Sequence, residues 1–520
     1  MSGVLVSLLC VAGPHVRMPS PSRRTFLKRC AALTAGLSVS WGDIVSAQAF
    51  PRDVEVTGRV TSEGAGLGNV PVTDGQTVVQ TAADGRFRFA SSTRHPFVYL
   101  SVPSGYQMPQ HETGTARFYR PIEPGEGDTV TAHFDLQPMN RDDEAHAFVV
   151  LADPQMGIEA EVQEFREQTV PDVQQTLTGF EEQSTFGVGL GDLVFDNLSL
   201  FSGYEAAVRE MGIPFLQAVG NHDLNFEAAG DPGSTATFRQ HFGPEYYSFD
   251  RGAVHYVVLD DVFWPGSDGF GNNNDDYVGH IDATQLAWLE QDLALVEEGR
   301  RVIVFTHIPP LSTAYRRFGK QSPSPGARIG NRDALYDLLS PFDAHIISGH
   351  THENEHRTAA GPHEHVVGTV CGAWWTGPIC HDGTPRGYAV YEVEGESVQW
   401  QYKSMGHDAD HQMRLYSKGT DPTAPDEFIA NVWDADPEWN VVWYEDGIQT
   451  GRMARRVGTD PMSKRLYDGP EKPEKNPWAD PRPTGHLFYA PFNPDANRIR
   501  VETTDRFGRT YTEQLDASPE

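Results

Sequence analysis

The spacing of apolar residues changes twice along the chain. From Val54 to about Leu136 apolar and polar positions alternate, as at Val54, Val56, Val70, Val72, Phe87 and Phe89, with turn pairs at Asp74-Gly75 and Asp84-Gly85. A period of two broken by Asp-Gly predicts short antiparallel strands with one buried face. From about Ala145 to Tyr388 unbroken apolar runs take over, among them Phe148-Val149-Val150-Leu151, Val302-Ile303-Val304-Phe305 and His345-Ile346-Ile347. The stretches between them have helical spacing; Ala283 to Val296 brings Leu286, Leu289, Leu293 and Leu295 near one side of a helix. Buried strands separated by such helices predict a layered α/β domain. Strands return in Tyr388 to Val393, Phe428 to Trp433, Val441 to Tyr444 and Ile499 to Thr503, with Asp446-Gly447 as a turn, and predict a further, mainly β domain. Within it Asp460 to Thr484 is dense in Pro and Lys and predicts an irregular loop. A chain of 520 residues exceeds one hydrophobic core. The expected parts are a leader over 1–49, a β-sandwich over 50–140, the α/β domain over 141–388 and the β domain over 389–520.

The leader rests on Ser22-Arg23-Arg24-Thr25-Phe26-Leu27-Lys28, a mildly apolar stretch from Ala31 to Trp41, and Ala47-Gln48-Ala49. This order resembles a twin-arginine export signal cleaved after Ala49, which implies a periplasmic or secreted mature protein. The apolar stretch is too short to span a bilayer, and no later segment reaches the roughly 20 apolar residues a spanning helix needs, so no integral membrane segment is expected. Cys10 and Cys30 leave with the leader. Cys371 and Cys380 remain, either to pair in an oxidising compartment or to stay as buried thiols.

The net charge of -31, with few Lys and no basic stripe, argues against a nucleic-acid partner. The chemistry lies in polar residues placed just after apolar runs. Asp153 follows Leu151, Asp192 follows Val188-Gly189-Leu190-Gly191, and Asn221-His222-Asp223 follows Phe215 to Gly220. His307 follows Val302 to Thr306, and His350 and His352 follow Ile346-Ile347-Ser348-Gly349. Strand-end loops of an α/β sheet are where ligands gather, and a carboxylate with imidazole and oxygen donors suits a pair of divalent cations. Alternation sets His350 and His352 on one side.

This order and spacing resembles the calcineurin-like metallophosphoesterases, whose pattern is D-x-H, GD, GNH(D/E), an isolated His and GHxH. The resemblance implies a layered β-sandwich core flanked by helices, and phosphoester hydrolysis by a hydroxide bound to two metals. It implies that Asp192 bridges the cations, that Asp153 and His352 complete one, and that Asn221, His307 and His350 complete the other. His222 then faces the substrate, assisting the leaving group, with Asp223 orienting its imidazole. One departure is Asp153-Pro154-Gln155, where Gln155 stands in place of the usual His. Its amide oxygen either ligates a hard cation, which favours Mn or Fe with Mg and Zn as further candidates, or makes only an outer contact. A subset of the family shares this D-P-Q form.

The flanking modules resemble those of an exported bacterial branch. Gly58-Arg59-Val60, Val70-Pro71-Val72 and Asp84-Gly85-Arg86-Phe87 resemble a transthyretin-like sandwich, expected as a spacer or binding module. Trp374-Trp375 offers either an aromatic wall for a substrate or ordinary core packing. Arg332 and Arg386 are candidates for phosphate contact, and His356, His363, His365 and His381 are expected mostly on surfaces or loops. The expected partner is a small phosphoester, and the sequence carries no signature of oligomeric state. The competing class is an inactive cell-surface binding protein that kept the core as a scaffold; retention of every acidic and imidazole position apart from Gln155 speaks against it.

Overall fold

The unbroken apolar runs become the central strands of two sheets in one α/β core. The computed structural model describes residues 51–123, 127–266, 276–358, 361–470, 472–491 and 493–516, so the expected leader with Arg23 and Arg24 lies outside the described residues. The first core sheet orders Phe215–Ala218, Ser184–Leu190, Ala145–Leu151, Gly387–Glu394 and Ser397–Ser404. Its first three strands are parallel and the last two antiparallel to their neighbours. The second orders Tyr247–Arg251, Val254–Val258, Arg301–Phe305, Asp343–Ser348, His363–Val366 and Glu355–Arg357. Strands covered on both faces need no polar alternation, and all five residues of Val254–Val258 are buried. The two sheets share one aromatic core, in which Phe148 stacks on Phe186 at 5.0 Å and on Tyr391 at 4.6 Å. Tyr256 and Phe305 of the second sheet meet it edge-on, at 5.6 and 5.9 Å.

The helix expected around Ala283 runs Ala283–Leu293, started by Asp282, whose carboxylate accepts the backbone N–H groups of Thr284 and Gln285. Leu289 and Leu293 are buried with Trp288 against the second sheet, whereas Leu295 lies past the helix end and is 43% exposed.

The flanking segments are β-rich. Strands between Asp53 and Asp135 form two four-stranded sheets, and strands between Arg414 and Asp516 form two more. The hairpin Gly387–Glu394 with Ser397–Ser404, which a boundary at residue 388 divides, is the edge of the first core sheet. The segment Asp460 to Thr484 is not wholly irregular, because it holds a helix, Pro461–Tyr467, capped by the Asp460 carboxylate. Proline at the first helical position is favourable, so a Pro count misreads this start. Tyr467 is fully buried, and its hydroxyl donates to the Ile379 carbonyl at 2.6 Å, which docks the segment beside the core.

One buried charge network ties helix to sheet. His255 meets Asp250 through Nδ1 at 3.0 Å and Asp292 through Nε2 at 2.9 Å, so both ring nitrogens donate to carboxylates. Burial works against the charged ring, yet the Asp292 and Asp250 carboxylates outweigh it and hold the imidazolium up to about 9, against an ordinary 6.5. Since the folded value lies above the unfolded one, the stabilisation is complete below pH 6.5 and is lost as pH rises through about 9. We expect His255→Asn to cost about 3 kcal/mol more at pH 6 than at pH 9.5, measured by urea unfolding. An equal cost at both pH values would contradict the assignment.

Candidate active site

Five parallel strands drawn from both sheets end at one place, and each delivers a polar side chain there. Ala145–Leu151 leads to Asp153, Ser184–Leu190 to Asp192, Phe215–Ala218 to Asn221, Arg301–Phe305 to His307, and Asp343–Ser348 to His350 and His352. The loops are unusual in their backbone: Asp153, Gln155, Asp192, His350 and His352 all have φ between 45° and 70°. Left-handed conformations are costly for such residues and persist where the surroundings dictate them, typically at functional sites. His350 and His352 thus reach the site through a left-handed turn and not through strand alternation. Glycine is required beside them for room, since a Cβ on Gly220 would sit 1.9 Å from the Asp192 backbone nitrogen.

Asp192 sits at the centre. Its Oδ1 lies 3.3 Å from His307 Nε2 and accepts the His222 backbone N–H at 2.8 Å. Asn221 Oδ1 is 3.0 Å from the same His307 nitrogen, and His350 Nδ1 is 3.2 Å from it. The ligand atoms of Asp192, His307 and His350 all lie within 4.8 Å of one another. Asp153 accepts the His350 backbone N–H at 2.9 Å, and His352 Nε2 lies 3.6 Å from its carboxylate. The far nitrogens of two rings are anchored, with His307 Nδ1 donating to the Leu190 carbonyl at 2.9 Å and His352 Nδ1 to the Gly372 carbonyl at 2.7 Å. Such outer contacts fix which nitrogen turns inward.

Burial and mutual charge set the titration of these groups. Burial pushes the Asp153 carboxyl up to about 7 against the pull of His307, with Asp192 adding to the rise. Burial likewise opposes charge on His307, but Asp192 above all lifts it to about 10. Burial depresses His352 to about 3 and lowers His350 as well, with His307 adding to the latter effect. Two adjacent buried carboxylates among inward-turned imidazoles and an amide oxygen form a donor set that fits divalent cations.

Gln155 turns its amide nitrogen to Asp192 Oδ2 at 3.1 Å, while its oxygen lies 3.6 Å from Cys371 Sγ. In this arrangement it steadies Asp192; ligation through the oxygen needs the amide turned over. Cys371 and Cys380 are free buried thiols.

His222 faces the cleft with Nε2 4.0 Å from Asp192 Oδ2. The expectation that Asp223 orients its ring needs correction. Asp223 is wholly buried and accepts the backbone N–H groups of Gly220, Leu193 and Val194 at 2.9 to 3.2 Å, which shapes the loops. The carboxylate at His222 Nδ1 is Asp196, at 2.6 Å, and Phe195 packs on the ring at 4.4 Å. Asp261 is a further residue that the sequence does not single out, although it too follows an apolar run; its carboxylate accepts the N–H groups of His307 and Ile308 at 3.0 and 2.9 Å.

The cleft over these residues has a volume of about 330 Å3, and Tyr277, Tyr315, Trp374 and Arg482 are among its lining residues. Both readings of the tryptophan pair hold, one for each residue. Trp374 lines the cleft, its ring 4.9 Å from His352, whereas Trp375 is buried and donates from Nε1 to the Pro154 carbonyl at 2.9 Å. Neither candidate arginine reaches the cleft. Arg386 pairs with Glu164 at 2.7 Å and lies 4.2 Å over Trp375, and Arg332 sits beside Asp333 at a helix start. The arginine that does line it, Arg482, comes from the segment expected as loop, and is held by the Thr351 carbonyl at 3.2 Å. The expectation for the remaining histidines is corrected in part: His356 and His365 lie on strands with buried side chains, whereas His363 is half-buried and His381, although buried, sits in a loop.

Family models match the chain in three consecutive parts. The family model for calcineurin-like phosphoesterase matches residues 146–354, with its N-terminal module matching 54–139 and its C-terminal module 364–511. The serine/threonine-protein phosphatase CPPED1 of Danio rerio is 28% identical over 196 residues, which is 37% of this chain and 57% of that protein. The chain thus spans little more than half the length of that relative. Among solved structures, a purple acid phosphatase from yellow lupin (Lupinus luteus) seeds is 15% identical, covering 51% of this chain and 52% of its own, with a TM-score of 0.37. The 5'-nucleotidase of Candida albicans is 12% identical over 49% of this chain and 50% of its own, with a TM-score of 0.28.

Proposed function

This chain belongs to the calcineurin-like phosphoesterase family, and from that premise we propose that it is an exported, dimetal-dependent hydrolase of small phosphoesters. The observation that carries the reading is the convergence of Asp153, Asp192, Asn221, His307, His350 and His352 at the floor of an open cleft. Asp192 would bridge two cations, with Asp153 and His352 on one and Asn221, His307 and His350 on the other. Mn or Fe is favoured over Zn because Gln155 brings an amide where an imidazole would suit zinc; Mg is the further candidate. When bound, the cations supply Lewis-acid activation of water and neutralise charge on the phosphoryl oxygens.

The protein's own groups complete the chemistry. Asp196 accepts from Nδ1–H of His222, which directs Nε2 into the cleft, where it can hand a proton to the departing alkoxide oxygen. Arg482 supplies a fixed positive charge for a phosphoryl oxygen, and Tyr277, Tyr315 and Trp374 offer aromatic faces to the leaving group. Monoester and diester hydrolysis draw on the same core and are separated by assay. Metal-reconstituted protein is expected to hydrolyse aryl phosphate or bis-aryl phosphate with added Mn and to lose that activity to a chelator. Silence of fully metal-loaded protein across a phosphoester panel would favour the scaffold reading instead.

Export is inferred from Arg23-Arg24 and Ala47-Gln48-Ala49 in the leader. No helix among the described residues is long and apolar enough to cross a membrane. Replacing both arginines by Lys is expected to strand the protein in the cytoplasm, read by fractionation; unchanged export would refute the inference.

A further inference from the structure

A second cluster of ligand-type side chains lies outside the catalytic one, at the seam between the core and the C-terminal β segment. His356 and His365 are direct cross-strand partners on Glu355–Arg357 and His363–Val366, the edge of the second core sheet. Their rings stack at 3.9 Å. Asp434, which follows the strand Glu427–Asn431 of the C-terminal segment, places Oδ1 2.7 Å from His356 Nε2 and 3.7 Å from His365 Nε2. Asn354 closes the group, with Oδ1 3.2 Å from His365 Nε2 and its amide nitrogen 3.3 Å from Asp434 Oδ1. All four side chains are buried.

The ligand atoms of His356, His365 and Asp434 all lie within 4.8 Å of one another in this buried spot. Two imidazoles aim the same nitrogen at a single carboxylate oxygen, and the one at 3.7 Å is beyond hydrogen-bond reach of it. Four donors around a tetrahedral Zn2+, at bonds of 2.0 to 2.1 Å, stand roughly 3.3 Å apart. With the Asn354 oxygen as its ligand atom, the donor separations of 2.7, 3.2 and 3.7 Å scatter around that value. The outer contacts also match those of a built metal site, since each far ring nitrogen is anchored: His356 Nδ1 on His363 Nε2 at 3.2 Å, and His365 Nδ1 on the Tyr391 hydroxyl. The second oxygen of Asp434 accepts the Tyr402 backbone N–H at 3.2 Å. A cleft of about 290 Å3, lined by Asn354, His356 and His486 among others, offers a hydrated cation a way in.

We propose that Asn354, His356, His365 and Asp434 form a structural zinc site that clamps the C-terminal β segment to the phosphoesterase core. The site is closed, with four protein donors and no position turned to a substrate, as expected of structural zinc. Its ligands come from two parts of the chain far apart in sequence, so binding favours only the assembled fold and raises its stability by mass action.

The test uses tag-free full-length protein carrying Asp192→Asn and His307→Ala, which disables the catalytic cluster and makes the outcome independent of the function proposed for it. This protein is expected to retain one Zn2+ per chain through gel filtration and to show a higher Tm with zinc than after chelation. Adding His365→Gln, or Asp434→Asn, is expected to remove both effects while circular dichroism stays folded. Zinc-edge X-ray absorption of the parent provides a check that needs no further variant, with a first shell at roughly 2.0 to 2.1 Å and scattering from two imidazoles. No retained zinc, retention undiminished by either folded variant, or a shell without two imidazoles would each overturn the proposal.

Discussion

Asp192→Asn is expected to strip the divalent cations from the catalytic cluster and to reduce phosphoester hydrolysis by at least about a thousandfold. The substitution keeps size and shape, so the amide oxygen it introduces can still accept the His222 backbone N–H that Asp192 accepts at 2.8 Å. What it removes is the one negative charge placed between the two ligand groups, 3.3 Å from His307 and within reach of His350. Charge stabilisation by bound cations amounts to several kcal/mol, and each 1.36 kcal/mol is a factor of ten in rate. Element analysis after gel filtration, paired with aryl phosphate assay, reads both effects. Full metal occupancy in a folded Asp192→Asn protein would contradict the bridging role.

The second large effect belongs to His222. His222→Ala is expected to keep the metals and lose about 100- to 10,000-fold in turnover, the usual span for a positioned general acid. The loss should be greatest for alkyl phosphates, whose alkoxide needs a proton, and small for aryl phosphates with acidic phenols. Asp196→Asn should cost less, about 10- to 100-fold, because it disturbs the tautomer and orientation of the ring without removing it. Asp223→Asn, by contrast, should act on folding and metal retention, since its carboxylate holds the backbone N–H groups of Leu193, Val194 and Gly220. An equal loss for every leaving group in His222→Ala would assign that residue a positioning role only.

The metal-type residues were legible in sequence because each follows a buried strand, and parallel strands of a layered core end on one side. Asp153, Asp192, Asn221, His307, His350 and His352 obey that rule, and the structure brings them together. Asp196 and Asp261 carry the same local signal as many turn aspartates, and their roles depend on which backbone or ring nitrogen happens to face them. Arg482 was hidden for another reason. Its segment reads as loop from its Pro and Lys content, and only the buried Tyr467 and the short helix before it fix its path to the cleft. His356 and His365 were misplaced because sequence shows a polar cluster but not the cross-strand register or the distant Asp434 that bury it. The tryptophan pair shows the limit plainly: adjacent residues with similar φ, 54° and 57°, point one ring into the cleft and the other into the core.

Anomalous diffraction from crystals of manganese-loaded protein, recorded at the manganese edge, bears most directly on the catalytic assignment. Two peaks about 3.5 to 4 Å apart are expected, with Asp192 contacting both, Asp153 and His352 on one, and Asn221, His307 and His350 on the other. A fully loaded crystal with no anomalous density among these side chains would contradict it.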